Sequence, residues 1–489
     1  MVKKVFIIIL ILLSSTHFFA QNENDALRYS FLTHGGTGRY MGMSGAFSAL
    51  GADFSILSTN PAGIGMFKKS RIVFAPGIIS TSLKADYFNE TSQDDHIHAN
   101  INSFGAILNL KSYQEDDSGW RTVAFGVGYN RLRNFSKDIT IEATNNNSSY
   151  LDLFMIKSDG YTPEELYDLE WLAFDTYATD TIPGDIEKRY IHPLYDIYGE
   201  NQKKNIQTRG GIGEYVFSLG GNYDDILQIG ATFGIQQIHY EEISKFTEES
   251  QDLASDFESF NFVDSVVTEG SGFNFKFGMI YRPVNYFRLG LAFHTPTFYT
   301  MKDIYSNSMK TNWRTADDNG KSYYFAQTDE YEYNYELYTP FRAVAGVALI
   351  LSRIGILSAD YEYVNYSKAR LRADLVDDFE DANSIISENF RAGHNFRGGV
   401  EIRLAPIYLR GGISYYSSAT SSTFNATGSV KSYSLGIGLK TIDTYIDIAF
   451  SHSFSDDDYM MYEYDAGLAE WANLHHVQDQ ISITLGYKF

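Results

Sequence analysis

The feature that most narrows what this chain can fold into is a period-two alternation whose bulky face is apolar and whose other face is small or polar. At the C-terminus Ile481, Ile483, Leu485, Tyr487 and Phe489 take the odd positions, and Ser482, Thr484, Gly486 and Lys488 fill the even ones. Val123, Phe125, Val127 and Tyr129 repeat the pattern, with Ala124, Gly126 and Gly128 between them. Only an extended strand sends such sets to opposite faces. The same dyad recurs in hairpins that turn at Asp224 and Asp225, at the RPVN of residues 282–285, at the SRIG of 352–355, at Ala405 and Pro406, and near Asp443. With weaker strands near 70–84 and 99–112, one near 120–134 and the terminal strand, the count is about fourteen, and bacterial outer-membrane barrels require an even number.

A soluble sandwich also alternates, but it would hide Phe, Tyr and Leu inside and show Gly, Ser, Thr and charge to water. A barrel of about fourteen strands is too wide to fill with side chains, so a polar lumen and a greasy outside are the easier solution. The connections agree. Turns at 224, 283, 353, 405 and 442 are short, whereas 135–209, 241–270, 300–340, 368–392, 418–430 and 455–477 are long and acidic, as outer loops are. The expectation is an all-β, transmembrane antiparallel barrel. Aromatic residues reach 16%, too many for disorder, and the formal charge of −22 offers no basic surface for nucleic acid. Cysteine is absent, which removes disulfides, thiolate metal sites and cysteine nucleophiles.

Lys3 and Lys4, an apolar run from Val5 to Leu13, and SSTHFFA before Gln21 have the order of a secretory signal peptide, with cleavage expected after Ala20. No later segment supplies the roughly 18 to 20 apolar residues of a membrane-spanning helix. The compartment expected is the outer membrane of a Gram-negative bacterium. The terminal Phe489 resembles the signal read by the outer-membrane assembly machinery.

Residues 21–68 lack the alternation and instead carry closely spaced Gly and Ala. Here the chain resembles the FadL/TodX type of outer-membrane transporters for long-chain fatty acids and hydrocarbons. The matching residues are GRYMGMSGAFSALGAD from Gly38 to Asp53, NPAG at Asn60, Pro61, Ala62 and Gly63, and FGVGYNRLRNF from Phe125 to Phe135. Arg282 and Pro283, HTPTFY from His294 to Tyr299, and ADYEYVNYS from Ala359 to Ser367 extend the likeness over nearly the whole mature chain. The resemblance implies three parts: a signal at 1–20, an N-terminal hatch at 21–68 inside the lumen, and a barrel at 69–489 of fourteen strands. It also implies passive transport, with an apolar ligand bound in the lumen and released sideways through an irregular third strand. Ala124, Gly126 and Gly128 on the inner face of that strand are the candidates for the lateral opening, and Asn60 to Gly63 for the hatch gate.

A fatty carboxylate needs a cation inside. Positions out of phase with the apolar face put Lys276, Arg288, Arg342, Arg397, Arg403 and Arg410 in the lumen, together with Asp360, Glu362, Glu401 and Asp447, which could simply pair with them. Arg342, Arg397 and Lys276 are the carboxylate candidates. In the long 135–209 insertion, Thr162, Pro163 and Glu165 start a helix whose Leu166, Leu169, Trp171, Leu172 and Phe174 form either a ligand-collecting groove or a packed cover.

Other chemistry finds little support. His96 with His98, and His475 with His476, lack clustered metal-ligating partners, and no cofactor is expected. His294 and His452 read as outward-facing, without the serine and acid a hydrolase needs. The FRA at residues 341–343 is a faint match to haem receptors, which leaves hemin uptake as a minor alternative. A surface receptor, adhesin or structural barrel is the main rival to transport, and it predicts a lumen closed to ligand. Expected partners are a hydrophobic small molecule and the surrounding lipid and lipopolysaccharide, with no nucleic acid and a monomeric state.

Overall fold

The computed structural model describes residues 23–33, 35–111, 119–373, 379–421, 428–465 and 468–489; the expected signal peptide lies outside them. Among the described residues fourteen strands close an antiparallel barrel. In chain order they are β1 (Arg71–Tyr87), β2 (Glu90–Lys111), β3 (Trp120–Asn134, continued by Lys137–Asn145), β4 (Glu200–Tyr223), β5 (Leu227–Glu249) and β6 (Phe257–Val284). Then follow β7 (Phe287–His294, continued by Phe298–Trp313), β8 (Tyr331–Tyr338, continued by Arg342–Leu351), β9 (Gly355–Asn365) and β10 (Ala392–Leu404). The last four are β11 (Ile407–Tyr416), β12 (Val430–Lys440), β13 (Thr444–Asp465) and β14 (Leu468–Lys488). Closure is the antiparallel pairing of β1 with β14, starting at Arg71 opposite Lys488. Among the described residues five α-helices accompany them: α1 (Glu23–Ser30), α2 (Gly38–Met41), α3 (Leu151–Ser158), α4 (Asp168–Asp175) and α5 (Glu380–Asn389).

The lower half of the wall carries the dyad seen in the sequence. Phe273, Phe275, Phe277 and Met279 of β6 point out, as do Leu435 and Ile437 of β12 and Ile481 and Leu485 of β14, all exposed. This apolar belt is the membrane-facing surface. β7 and β8 both break at one height, at Pro296 and Pro340, where a residue without an N–H cannot continue the ladder, and Thr339 donates across the break to the Thr297 carbonyl at 3.1 Å.

Much of what reads as long outer loop is strand. β5 runs on to Glu249, β6 starts at Phe257, and β13 and β14 reach Asp465 and Leu468. The physical reason is an inversion of faces. Low on β5, Ile229 and Phe233 are exposed; higher up, Ile238, Tyr240 and Phe246 are buried while Gln237, His239, Glu241 and Lys245 face out. Above the membrane the wall behaves as a soluble barrel, greasy inside, and the greasy-outside signal disappears.

That upper interior is filled. Leu151 and Phe154 of α3 and Leu172 and Ala173 of α4 join Leu83, Ile141, Phe246, Phe260 and Met309 from the wall in one buried cluster. The result is a roof over the lumen. Lower down, residues 35–67 fill the barrel as a hatch. Phe54, Leu57, Ile64 and Phe67 pack on Val73, Ile107, Ala124 and Val216, and Tyr40, Met43, Phe47 and Ile56 pack on Ala348 and Ile356.

Candidate functional site

Between hatch and roof lies a cavity of about 1080 Å³. Tyr40, Met41, Ser44 and Gly45 of the hatch form its floor, and Tyr167 to Glu170, at the start of α4, belong to its roof. Helix α1 stands within it and contributes Asp25, Leu27 and Arg28. Arg28 pairs with Asp25 and lies over the Tyr240 ring, 4.2 Å from its centroid. Nothing in the sequence pattern had marked this helix, because eight residues with a modest apolar face give little periodic signal.

The hatch is tied to the wall by side chains whose partners lie hundreds of residues away. Asp360 accepts from the backbone of Phe47 and Ser48, both at 2.9 Å, and from the Ser48 hydroxyl at 2.6 Å. Thr484 accepts from the Gly38 N–H at 2.7 Å, and Arg39 pairs with Glu401 at 3.0 Å. The NPAG turn is one such anchor. Asn60 accepts from Ala62 N–H at 3.2 Å, closing the turn, and donates to the Ser48 carbonyl at 2.6 Å and to the Met279 carbonyl at 3.3 Å. Pro61 starts a short helix through Met66, with Ala62 and Gly63 buried. The turn needs bare backbone opposite it. A Cβ on Gly278 would lie 1.9 Å from the Asn60 side-chain oxygen, and one on Gly230 would lie 2.4 Å from the Pro61 carbonyl.

His294, expected on the outer face, is in fact buried, and its Nε2 meets the Thr59 carbonyl at 2.6 Å. It shares the inward phase of Arg288, and the hatch occupies the space it points into. Of the other histidines singled out above, His96 pairs with Asp138 at 3.0 Å, His452 with Asp479 at 2.7 Å, His475 with both Asp86 and Asp456, and His476 with Asp457 at 3.2 Å, while His98 stacks on the His96 ring.

The three carboxylate candidates do point inward, yet each is committed to an acid. Lys276 pairs with Glu214. Arg342 and Arg397 share Glu362, at 3.0 and 3.3 Å. Below the cavity floor such charges are out of water, where an unpaired one would be costly. Arg410 is likewise held, by Glu401 at 2.9 Å and Asp447 at 2.7 Å. Other cations line the cavity: Arg28 of α1, Lys157 of α3, and Arg131, Arg133 and Lys137 at the outer end of β3. Arg133 donates to the Phe31 carbonyl and lies over the Phe31 ring at 5.0 Å. Arg131, Arg133 and Lys137 stand within RLRNFSK, whose alternate basic residues are the signal that could have found them.

Ala124, Gly126 and Gly128 lie on the inner face of β3, as their phase predicts. Gly126 and Gly128 sit in a continuous stretch of wall, with Gly126 opposite Ile107 on β2 and Ser218 on β4, and Gly128 opposite Gly105 and Val216. Ala124 is buried against the hatch, and a Cβ on Gly126 would meet Leu57 at 2.9 Å. Their small size makes room for the plug. The wall parts higher up. The ladder between β2 and β3 ends at Ser103 opposite Asn130, and beyond it β2 pairs only with β1, while Lys137–Asn145 pairs only with β4. A bulge at Asn102, opposite Ala75 and Pro76, marks the departure. Across the parted seam only side-chain links are formed among the described residues: His96 to Asp138, Glu90 to the Thr144 N–H at 3.1 Å, and Ser92 to the Thr140 carbonyl.

The collecting helix is divided. Thr162 and Glu165 do form a capping box, but it caps a single short turn, and α4 starts separately where Asp168 takes a positive φ of 48°. Leu172 and Leu166 are buried in the roof, Trp171 is part-exposed, and Leu169 lines the cavity beneath. Phe174 meets Tyr190 edge-on at 6.2 Å.

No family model and no curated sequence matches this chain. Among solved structures it is similar to a FadL homologue of Pseudomonas aeruginosa, 13% identical, over 94% of this chain and 100% of that one, with a TM-score of 0.54. It is also similar to the P. putida toluene transporter TodX, 11% identical, over 93% of this chain and 98% of that one, with a TM-score of 0.52. At such identities the likeness is one of fold. It is the fold that the resemblance in the sequence implied.

Proposed function

We propose that this barrel is a passive outer-membrane transporter of hydrophobic molecules, long-chain fatty acids or related hydrocarbons, which bind in the lumen and leave sideways. The observation that carries the reading is the cavity between hatch and roof, next to a wall whose ladder has parted. A water-filled pore offers an apolar molecule nothing, whereas each methylene buried against Phe135, Tyr240 or Phe262 gains roughly 0.8 kcal/mol. Exit at the foot of the seam between β2 and β3, where Ile101 and Phe104 stand exposed in the apolar belt, delivers such a molecule toward the lipid without crossing the hatch. The NPAG turn, Asn60 to Gly63, then acts as the hatch's anchor to β5 and β6. A ligand carboxylate would meet Arg131, Arg133 or Lys137 rather than the committed Arg342, Arg397 and Lys276. The protein does no chemistry in this reading.

The test is uptake of labelled long-chain fatty acids, alkanes, aromatic hydrocarbons and haem by barrel-deficient cells with and without the protein. A variant carrying Asn60→Ala and Pro61→Ala runs beside it. Uptake of one apolar class that changes in the variant is the expected result. No uptake of any, with the barrel correctly inserted, sinks transport and moves weight to a receptor role for the outer surface.

A further inference from the structure

We propose that the ligand of this cavity is a neutral, polyhydroxylated amphiphile, an apolar body carrying a sugar-like group, and not a plain acyl chain or hydrocarbon; this rests on the transport reading above. The cavity has two unlike sides. Phe135, Tyr240 of β5, Phe262 of β6, Tyr305 of β7 and Tyr333 of β8 present rings, with the carboxylates of Glu242, Asp264 and Asp303 beside them. The side formed by β11 to β14 presents Ser414, Ser432, Ser451, Ser453, Gln478 and Gln480. β6 and β13 stand seven strands apart in a ring of fourteen, so the two sides oppose each other.

The hydroxyl and amide side is a band without charge. Beneath it Arg410 is paired with Asp447 at 2.7 Å, and above it His476 is paired with Asp457 at 3.2 Å. Between these layers the inward residues of β11 to β14 that line the cavity are serine and glutamine. Each of these side chains both donates and accepts, as a sugar hydroxyl does.

The band is also incompletely used by the protein itself. Ser414 and Ser432 bond each other at 2.6 Å, and Gln480 donates to Asn102 Oδ1 at 3.0 Å. Asn100 donates to the same oxygen at 3.0 Å, while its own Oδ1 and the Nδ2 of fully buried Asn102 have no partner among the described residues. An alkyl chain seated here would take water from the part-exposed Ser451, Ser453, Gln478 and Gln480 and give nothing back, which is the costly arrangement. A ligand with several hydroxyls satisfies them while its apolar body lies on the aromatic side.

The experiment is equilibrium dialysis of labelled 1-naphthyl β-D-glucoside, naphthalene and palmitate against nanodiscs with and without the full chain. Empty discs give the background. The glucoside is expected to bind more tightly than naphthalene, and a Gln478→Leu, Gln480→Leu variant is expected to weaken the glucoside roughly ten-fold and to tighten palmitate if it shifts it at all. Heat-modifiable gel mobility verifies that the variant folds, and Ser432→Ala with Ser453→Ala gives a milder second probe of the same band. Binding of naphthalene or palmitate with no glucoside binding above empty discs overturns this inference and leaves transport standing. Glucoside binding that survives both variants overturns it too. Binding of none of the three overturns the transport reading beneath it.

Discussion

The lower and upper halves of the same strands obey opposite rules. On β6 the lower Phe273, Phe275 and Phe277 are exposed, whereas the upper Phe257, Phe260 and Phe262 are buried. One residue type, on one strand, changes sides because the solvent changes. Lipid accepts a phenyl ring on the outer face and asks the lumen only to be polar or to hold a hatch. Above the lipid, water drives the rings inward, where α3 and α4 supply something to pack on. The cavity sits where the two regimes meet, and so it has both kinds of lining.

The most damaging way to test this contrast is to truncate one ring in each half. Phe246→Ala empties a fully buried position in the roof core and is expected to cost about 3–5 kcal/mol of local stability. Phe275→Ala, on the lipid face, leaves no cavity because lipid fills the space, and should cost far less. Limited proteolysis of the roof segments reads the first, and a urea titration of refolding into vesicles reads the second. Equal losses would mean that the upper half has no core of its own.

A charge sharpens the same point from outside. Phe277 and Ile243 are 53% and 50% exposed, on neighbouring strands, but Phe277 faces lipid and Ile243 lies among Glu241 and Lys245. Phe277→Arg is expected to destabilise by about 2–4 kcal/mol in vesicles, falling if the site is nearer the interface. Ile243→Arg should stay within about 0.5 kcal/mol. A penalty at Ile243 as large as at Phe277 would place the upper wall in the membrane after all.

The roof also predicts a pH dependence. Glu248 is fully buried and accepts from Ser149 Oγ at 2.6 Å, the Tyr150 N–H at 3.0 Å and Gln202 at 2.5 Å. Burial outweighs these donors and pushes its carboxyl up to about 8, and burial likewise lifts the nearby Glu200 to about 7. A carboxyl raised on folding binds its proton more tightly in the folded state. Its stabilising effect is therefore complete below the unfolded value of 4.5 and fades as the pH climbs toward 8. Amide protection of α3, corrected for intrinsic exchange, should fall over that window, and Glu248→Gln should flatten the fall. A flat profile in the unmodified protein would show that Glu248 is ionised throughout.

How much of this was legible in the sequence follows the same divide. The fourteen lower strands and the five short turns named above could be read, because lipid puts the bulky apolar residues on the outer face and leaves small or polar ones inside. The strand extensions could not, since polar-outside alternation with residues such as Glu242 and Glu248 on the inner face looks like acidic loop. The inward phase of Lys276, Arg342 and Arg397 was readable, and so was Glu362 as an acid on the same face, but Glu214 and the choice of pairs were not: the partners lie 62, 20 and 35 positions away, and the closed ring brings them near. The parted seam was hidden for a related reason. It depends on the bulge at Asn102 and on backbone pairing that ends at Ser103, and neither leaves a mark in hydropathy.

The seam gives the smallest effect and the most direct test of where the ligand leaves. Asp138 takes a hydrogen bond from Arg209 at 2.6 Å and meets His96 across the gap at 3.0 Å, both in partly exposed surroundings. Such a pair is worth about 0.2–1 kcal/mol, so Asp138→Asn should ease separation of β2 and β3 by at most about five-fold. If passage through this seam limits transport, uptake rises by a similar factor. Lys302 and Glu332 make a comparable pair at 2.7 Å, but between β7 and β8, where the backbone ladder is continuous, so Glu332→Gln should leave uptake unchanged. A rise in both variants would point to general loosening of the upper barrel, and a rise in neither would turn attention to the wall at Ala124, Gly126 and Gly128, where exit requires the hatch to withdraw first.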